Sequence, residues 1–206
     1  MTTDADVIDT LVGITPGSPL DAIRARRPEA RAHAQATYRA LFAPSAPGEL
    51  TTQERFAVGV FVAGLHDATA IASAYAGRLT DRGASAALKD AVDASISEAR
   101  TRGPYGSYPA GPLSREDTEG PVFRVAASTR RALGPRLAAA FEHAHMLVFH
   151  PRDAAPAALQ ALLDAGWSTT EIVTLSQIVA FLSFQIRVIA GLRVLAAHPA
   201  PGEATP

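Results

Sequence analysis

Six histidines, four tyrosines and no cysteine bound the chemistry open to this chain of 206 residues. Without a thiol there is no disulfide, no thiolate metal site and no sulfur nucleophile. What remains is proton transfer and hydrogen bonding by imidazole, phenol, carboxylate and guanidinium groups. The side chains that carry such groups in apolar surroundings are His66 with Asp67, Tyr75, the run Glu142-His143-Ala144-His145, His150, Gln177, Gln185 and Arg187. A polar group buried without a partner costs free energy, so each of these either lines a pocket or is held by an internal bond.

His66 and Asp67 interrupt a long apolar run, as a pocket lining or as a helix break facing solvent. Tyr75 follows nine residues later, and at about 100° per residue the two stand roughly 180° apart, so one helix does not make them a dyad. Glu142 and His145 share a helical face, but His143 lies about 200° from His145; only two metal ligands converge, and a third must come from elsewhere. His150-Pro151-Arg152-Asp153 has the composition of a helix end and the next start. Ser176, Ala180, Ser183 and Arg187 form a narrow stripe of small and polar groups. Arg187 at its end is suited to a carboxylate, either of an organic-acid substrate or of Glu142 or Glu171 in structural pairing. We take His66, His145 and Tyr75 as candidate catalytic groups, Arg187, Gln177 and Gln185 as candidate substrate-binding groups, and assign no metal and no cofactor.

The elements that must position these groups are helical. Start signals are Ser18-Pro19-Leu20-Asp21, Thr51-Thr52-Gln53-Glu54, Ser114-Arg115-Glu116-Asp117 and Ser168-Thr169-Thr170-Glu171; the second and fourth are capping boxes, in which a hydroxyl and a glutamate satisfy each other's backbone amides. They predict a polar helix over 21–42 broken or kinked near Pro28, a long helical pattern from Thr51 to about Leu79, and a helix from Ser85 to Arg100 with Leu88, Val92 and Ile96 on one face. Further helices are expected over 122–133, 135–149, 155–165 and 169–198. Between Thr101 and Pro121, four prolines, four glycines, Tyr105 and Tyr108 predict an ordered loop with its tyrosines over the core. No alternating strand pattern competes. The fold class is all-α: an N-terminal tail over 1–17, one helical domain over 18–198 whose halves 18–100 and 122–198 are joined by the loop 101–121, and a disordered tail over 199–206.

With 19 basic and 20 acidic side chains the net charge is −1, which offers no basic field for nucleic acid or an anionic membrane surface. Two apolar runs, 56–79 and 172–197, are long enough to span a bilayer, but His66-Asp67 and Arg187 interrupt them, so no span is expected. The acidic N-terminus lacks the layout of a signal peptide, which makes the cytoplasm the expected location.

Taken together, Leu50-Thr51-Thr52-Gln53-Glu54-Arg55-Phe56, the later Asp164-Ala165-Gly166-Trp167-Ser168-Thr169-Thr170-Glu171 and Phe181-Leu182-Ser183-Phe184-Gln185-Ile186-Arg187 resemble the carboxymuconolactone decarboxylase and AhpD-like alkylhydroperoxidase superfamily over roughly residues 20–195. The resemblance implies an AhpD-like bundle of two helical halves that self-associates as a homo-oligomer, dimer to hexamer. Its peroxidase branch uses Cys-x-x-Cys-x-x-x-His preceded by a Glu. Here those positions fall on Ala68, Ile71, Tyr75 and Phe56, or with a shift of two residues on His66, Thr69 and Glu54, and neither placement contains a thiol. The resemblance therefore implies a member without the peroxidase motif. One expectation is a thiol-independent enzyme acting on a small organic acid, lactone or reactive metabolite; the alternative is a non-catalytic structural or partner-binding member.

Overall fold

A computed structural model describes residues 5–198, and within them the chain forms nine α-helices and no strand, an all-α fold. The tail expected over 199–206 lies outside the described residues.

Part of the expected N-terminal tail is helical: α1 spans Val7–Val12. Asp6 accepts from the Asp9 amide at 2.9 Å and caps it, while Val7 and Ile8 are buried. The amide of Val7 donates to Gln35 Oε1 at 2.8 Å, and Arg24 bridges Asp6 at 2.7 Å and Asp9. The short segment is helical because its ion network and two apolar anchors tie it to α2 (Pro19–Ala25) and α3 (Pro28–Phe42). These two are the expected first helix, broken outright at Arg26-Arg27 because Pro28 opens the second piece.

α4 (Thr52–Leu65) starts at the expected capping box, with Glu54 N–H donating to Thr51 Oγ1 at 3.1 Å and Thr51 N–H donating to Glu54 Oε2 at 2.9 Å. From Arg55 to Leu65 every residue is buried. It is the central rod, packed on by α5 (Thr69–Asp81), α6 (Ala86–Ala99), α7 (Ala127–Phe149) and α9 (Thr169–Ala197). Its one buried cation, Arg55, donates to three carbonyls, those of Leu41, Pro47 and Leu50 at 2.8–3.0 Å, so the loop before the helix wraps the guanidinium. Two glycines set how closely its neighbours approach. A Cβ on Gly59 would lie 2.6 Å from the Tyr75 ring, and one on Gly64 2.7 Å from Ile96.

The helical pattern over 51–79 forms two helices, because the chain turns at His66-Asp67-Ala68 with Asp67 at φ 53°; of the two readings of His66-Asp67 this is the helix break. The turn lets α5 pack on α4 and bury Ile71, Tyr75 and Leu79 against it, where an unbroken rod would leave that face exposed. Leu88, Val92 and Ile96 of α6 are buried as their spacing predicts.

The joining loop is longer than expected and ordered. Tyr105 donates its amide to Phe149 O at 2.6 Å and stands 5.1 Å from the His150 ring, and the Arg152 guanidinium lies 4.1 Å over Tyr108. Ser114 does not start an α-helix: its hydroxyl accepts from Gly111 N–H inside the 3-10 turn Pro112–Glu116. The helix expected from Val122 begins at Ala127, because Glu142 captures the Val125 amide at 3.0 Å and holds 122–126 extended. The helices expected on either side of Gly134 form one element, α7, kinked where Gly134 takes φ 77° before Pro135. α8 (Pro156–Asp164) and the turn at Gly166 lead to the second capping box, Ser168 with Glu171, and to α9.

One side chain holds both boxes. Arg136 donates to Glu54 Oε1 at 3.2 Å and to Glu171 Oε1 at 2.7 Å, donates to the Gly166 carbonyl, and stacks 4.6 Å over Trp167, whose indole N–H returns a bond to the Arg136 carbonyl at 3.1 Å. α9 is the one helix among the described residues long and apolar enough to cross a membrane, and 44% of its most apolar window is buried against the other helices.

Removing the Arg136 guanidinium strands two carboxylates, so Arg136→Met is expected to cost about 2–4 kcal/mol in urea unfolding at neutral pH. Burial alone raises the Glu171 carboxyl, but bonds from Arg136 and Ser168 outweigh it and hold it below the ordinary value of 4.5. Stability from a lowered carboxyl is present above its unfolded value and lost as pH falls through the folded one. The gap between wild type and variant should therefore narrow below about pH 4.5; a gap that widens there contradicts the clamp.

Candidate functional site

The six residues singled out by sequence occupy separate surroundings. His66 ends α4, and its Nε2 lies 3.2 Å from Ser183 Oγ on α9. Burial, and then the nearby Arg187, push its pKa down. Arg187 is exposed and donates to the Ser183 carbonyl at 2.7 Å. It pairs with neither expected acid: Glu142 is taken by Arg130, by Arg124 at 3.6 Å and by the Val125 amide, and Glu171 by Arg136. Gln177 is exposed on α9.

Tyr75 and Gln185 form a sealed pair. The phenol donates to Gln185 Oε1 at 2.9 Å, and the ring sits 5.1 Å from Phe42 and 6.0 Å from Phe56. Burial raises the phenol pKa well above its ordinary range, so it stays a neutral donor. Gln185 Nε2 is buried without a partner. Both side chains stand in the core, where their bond ties α5 to α9.

His145 lies elsewhere again, on α7. Its ring stands 5.3 Å from Phe123, 5.0 Å from Phe149 and 6.0 Å from His150. Burial first, then the charge of His150, lower its pKa to about 4, against a hydrogen bond to the Ala99 backbone that raises it. At neutral pH it is an uncharged ring packed among aromatics.

The groups the structure does bring together surround a cleft of about 520 Å³ between α7, α8 and the extended stretch 122–124. On α7 it is lined by Ala139, Glu142, His143, His145 and Met146; α8 contributes Ala157, Ala158, Ala161 and Leu162. Alanines on the facing helix leave the space that larger side chains would fill. His150 borders it, held between Asp153 Oδ2 and the Pro121 carbonyl, each at 3.0 Å. The wall carries one guanidinium, Arg124, and two carboxylates, Glu142 and Asp153, the first paired with Arg130 and with Arg124 and the second with His150.

His143 differs from every other polar group in this wall. It is 5% exposed, and neither Nδ1 nor Nε2 has a hydrogen-bond partner. Burial lowers its pKa, so the ring is neutral, with one N–H to donate and one lone pair to accept. Two unmet bonds on a buried ring are an exception that calls for a reason, and a ligand in the cleft supplies one. Sequence reasoning passed over His143 because it was weighed only as a metal ligand beside His145. The signal that was available is its register: three residues before Met146 and four after Ala139, it shares their face of α7. Among the described residues no three His, Asp or Glu side chains are disposed to hold one metal ion.

No family model, no curated protein and no solved structure matches the chain.

The depressed His145 makes the fold acid-sensitive in a defined window. A histidine that resists protonation only when folded contributes stability above its unfolded pKa of 6.5, and that stability is lost as pH falls toward about 4. The full span corresponds to on the order of 3 kcal/mol. His145→Phe, whose ring suits the aromatic surroundings, is expected to flatten stability against pH between 6.5 and 4 in urea titrations; an unchanged slope would remove His145 as the cause.

Proposed function

We propose that the chain binds a small organic acid or lactone with a mainly apolar body in the cleft between α7 and α8, and that neutral His143 exchanges a proton with it. The observation that carries this reading is the buried His143 ring with both nitrogens unpartnered in the cleft wall. Phe123, Met146 and Leu162 offer apolar contact, and the Arg124 guanidinium at the cleft wall is the group that would meet a carboxylate or carbonyl oxygen. Arg124, whose side chain is 71% exposed, is free to turn toward it.

The chemistry is thiol-independent, since the chain has no cysteine. A neutral imidazole accepts a proton from a carbon beside a carboxyl or lactone carbonyl and returns it from the same nitrogen. The Arg124 guanidinium stabilises the charge that develops on oxygen. This agrees with the resemblance to the carboxymuconolactone decarboxylase and AhpD-like superfamily in its branch without the peroxidase motif. It moves the working histidine from His66 and His145 to His143.

A second reading, a non-catalytic partner-binding or structural member, is favoured by the separate surroundings of His66, Tyr75 and His145 and by the engagement of Tyr75 with Gln185. In that case ligands bind and no proton exchanges.

The test is calorimetric titration with small aliphatic and aromatic carboxylates and lactones, with proton NMR following exchange of deuterium beside the carbonyl. His143→Phe is expected to weaken binding at least tenfold and to abolish exchange, while His66→Ala changes neither. Binding that survives His143→Phe overturns the site; binding without exchange in the wild type selects the second reading.

A further inference from the structure

A hydroxyl inside a helix either faces water or donates to the carbonyl four residues earlier, where its own backbone occupies it. On α9, Thr174 donates to Thr170 O at 3.0 Å and Ser176 to Ile172 O at 2.9 Å, and on α6 Ser95 and Ser97 do the same. Ser183 is different. Its Oγ meets His66 Nε2 at 3.2 Å, across 117 positions of chain, and this is the one bond between a hydroxyl and an imidazole among the described residues. The ring that makes it closes α4, which packs along α9.

The surroundings suit this pair to chemistry. No carboxylate among the described residues engages the imidazole; Asp67 beside it stands 3.8 Å from Arg100. The ring is neutral, for the reasons of burial and neighbouring charge given above. Nδ1 has no partner within the chain and is not enclosed, so it carries the proton toward water, and Nε2 presents its lone pair to the Ser183 hydroxyl. Arg187 donates to the Ser183 carbonyl at 2.7 Å, which holds a guanidinium at this residue with further N–H groups to offer. His66 and Ser183 are half-buried and Arg187 and Phe184 exposed, so a small molecule reaches the pair from solvent.

The geometry points to Ser183 as a nucleophile activated by His66, accepting an acyl group from esters and thioesters whose leaving group departs as a stable anion. A hydroxyl becomes a useful nucleophile when a base within hydrogen-bond reach takes its proton. As Ser183 Oγ bonds to the carbonyl carbon, that proton passes to His66 Nε2 and the carbonyl π electrons move onto oxygen, where the Arg187 guanidinium supplies positive charge. When the oxyanion collapses, the bond to the leaving group breaks, and a phenolate or thiolate departs with its electron pair. His66 then gives the proton to water. The products are an ester on Ser183 and the free anion. No acid orients the imidazole as in a triad, so the donor must bring its own good leaving group. None of His66, Ser183 and Arg187 lines the cleft at His143, so this reaction is separate from the proton exchange proposed there.

The experiment exposes the full chain to p-nitrophenyl acetate at neutral pH and follows phenolate release together with the mass of the protein. An acetyl ester is expected on Ser183 ahead of every other hydroxyl, located by fragmentation of the peptide that carries it. Ser183→Ala should remove it, while Ser176→Ala, whose hydroxyl is tied to its own helix, should leave the rate unchanged. His66→Gln keeps an acceptor for the hydroxyl but no basic nitrogen, so melting temperature should hold while acetylation slows about a hundredfold. Arg187→Gln should slow it about tenfold. Acetylation spread over the hydroxyls without preference for Ser183, or a rate indifferent to His66→Gln, overturns the proposal. So does phenolate release at the wild-type rate from Ser183→Ala, which would make the imidazole itself the acyl acceptor.

Discussion

The structure turns on a single guanidinium. A glutamate at the third position of a capping box satisfies its own helix start with one carboxylate oxygen and leaves the other free. Glu54 spends Oε2 on Thr51, Glu171 spends Oε2 on Ser168, and Arg136 takes the remaining Oε1 of each. Three long helices thereby start or pass at one point, with Trp167 stacked on the cation and returning a bond to its backbone. Because α4 is buried along nearly its whole length, anything that fixes its first turn to α7 and α9 also fixes the register of the core. The cleft lies on α7 beyond this clamp, so the position of His143 follows from it.

The distribution of polar groups obeys one accounting rule. Arg55 is surrounded by three carbonyls, Glu142 by two arginines and a backbone amide, His150 by a carboxylate and a carbonyl, and Tyr75 by Gln185. Each of these is a buried or half-buried polar group whose desolvation is offset locally, and each joins segments distant in sequence. Two exceptions remain among the buried side chains of the described residues, the Gln185 amide nitrogen and both nitrogens of His143. The first is enclosed by the core. The second faces a cleft large enough for a small molecule, and that difference in access separates a residual cost of packing from a binding group.

Signals that act within one turn of chain were legible in the sequence. Both capping boxes, the Ser18-Pro19 start and the buried stripe of α6 form as their residue types require, because each depends on neighbours three or four positions away. What could not be read depends on distant partners. The turn at His66-Asp67-Ala68, one of two readings the residues left open, contains neither glycine nor proline to decide it; it forms because α5 buries Tyr75 against Gly59. α1 exists because Arg24 and Gln35 reach back to it, and the helix expected from Val122 starts only at Ala127 because Glu142 draws Val125 into an extended stretch. The site divides in the same way. Histidines 143 and 145 are alike in composition and local context, and only the placement of α8, with its alanines, and of Phe123 decides which ring is packed among aromatics and which is left with unmet bonds.

α9 shows how one apolar rod is shared among several neighbours. Its buried residues, among them Leu175, Ile178, Leu182, Ile186 and Ile189, face a core assembled from several helices crossing it in turn. Its exposed residues are not all idle: Arg187 donates to the Ser183 carbonyl and Arg193 to the Leu11 carbonyl, so the outer side of the rod also ties α1 to the C-terminal half. The greasiness of α9 follows from this sharing, because a helix crossed in turn by α1, α3, α4, α7 and α8 must offer apolar contact around much of its circumference.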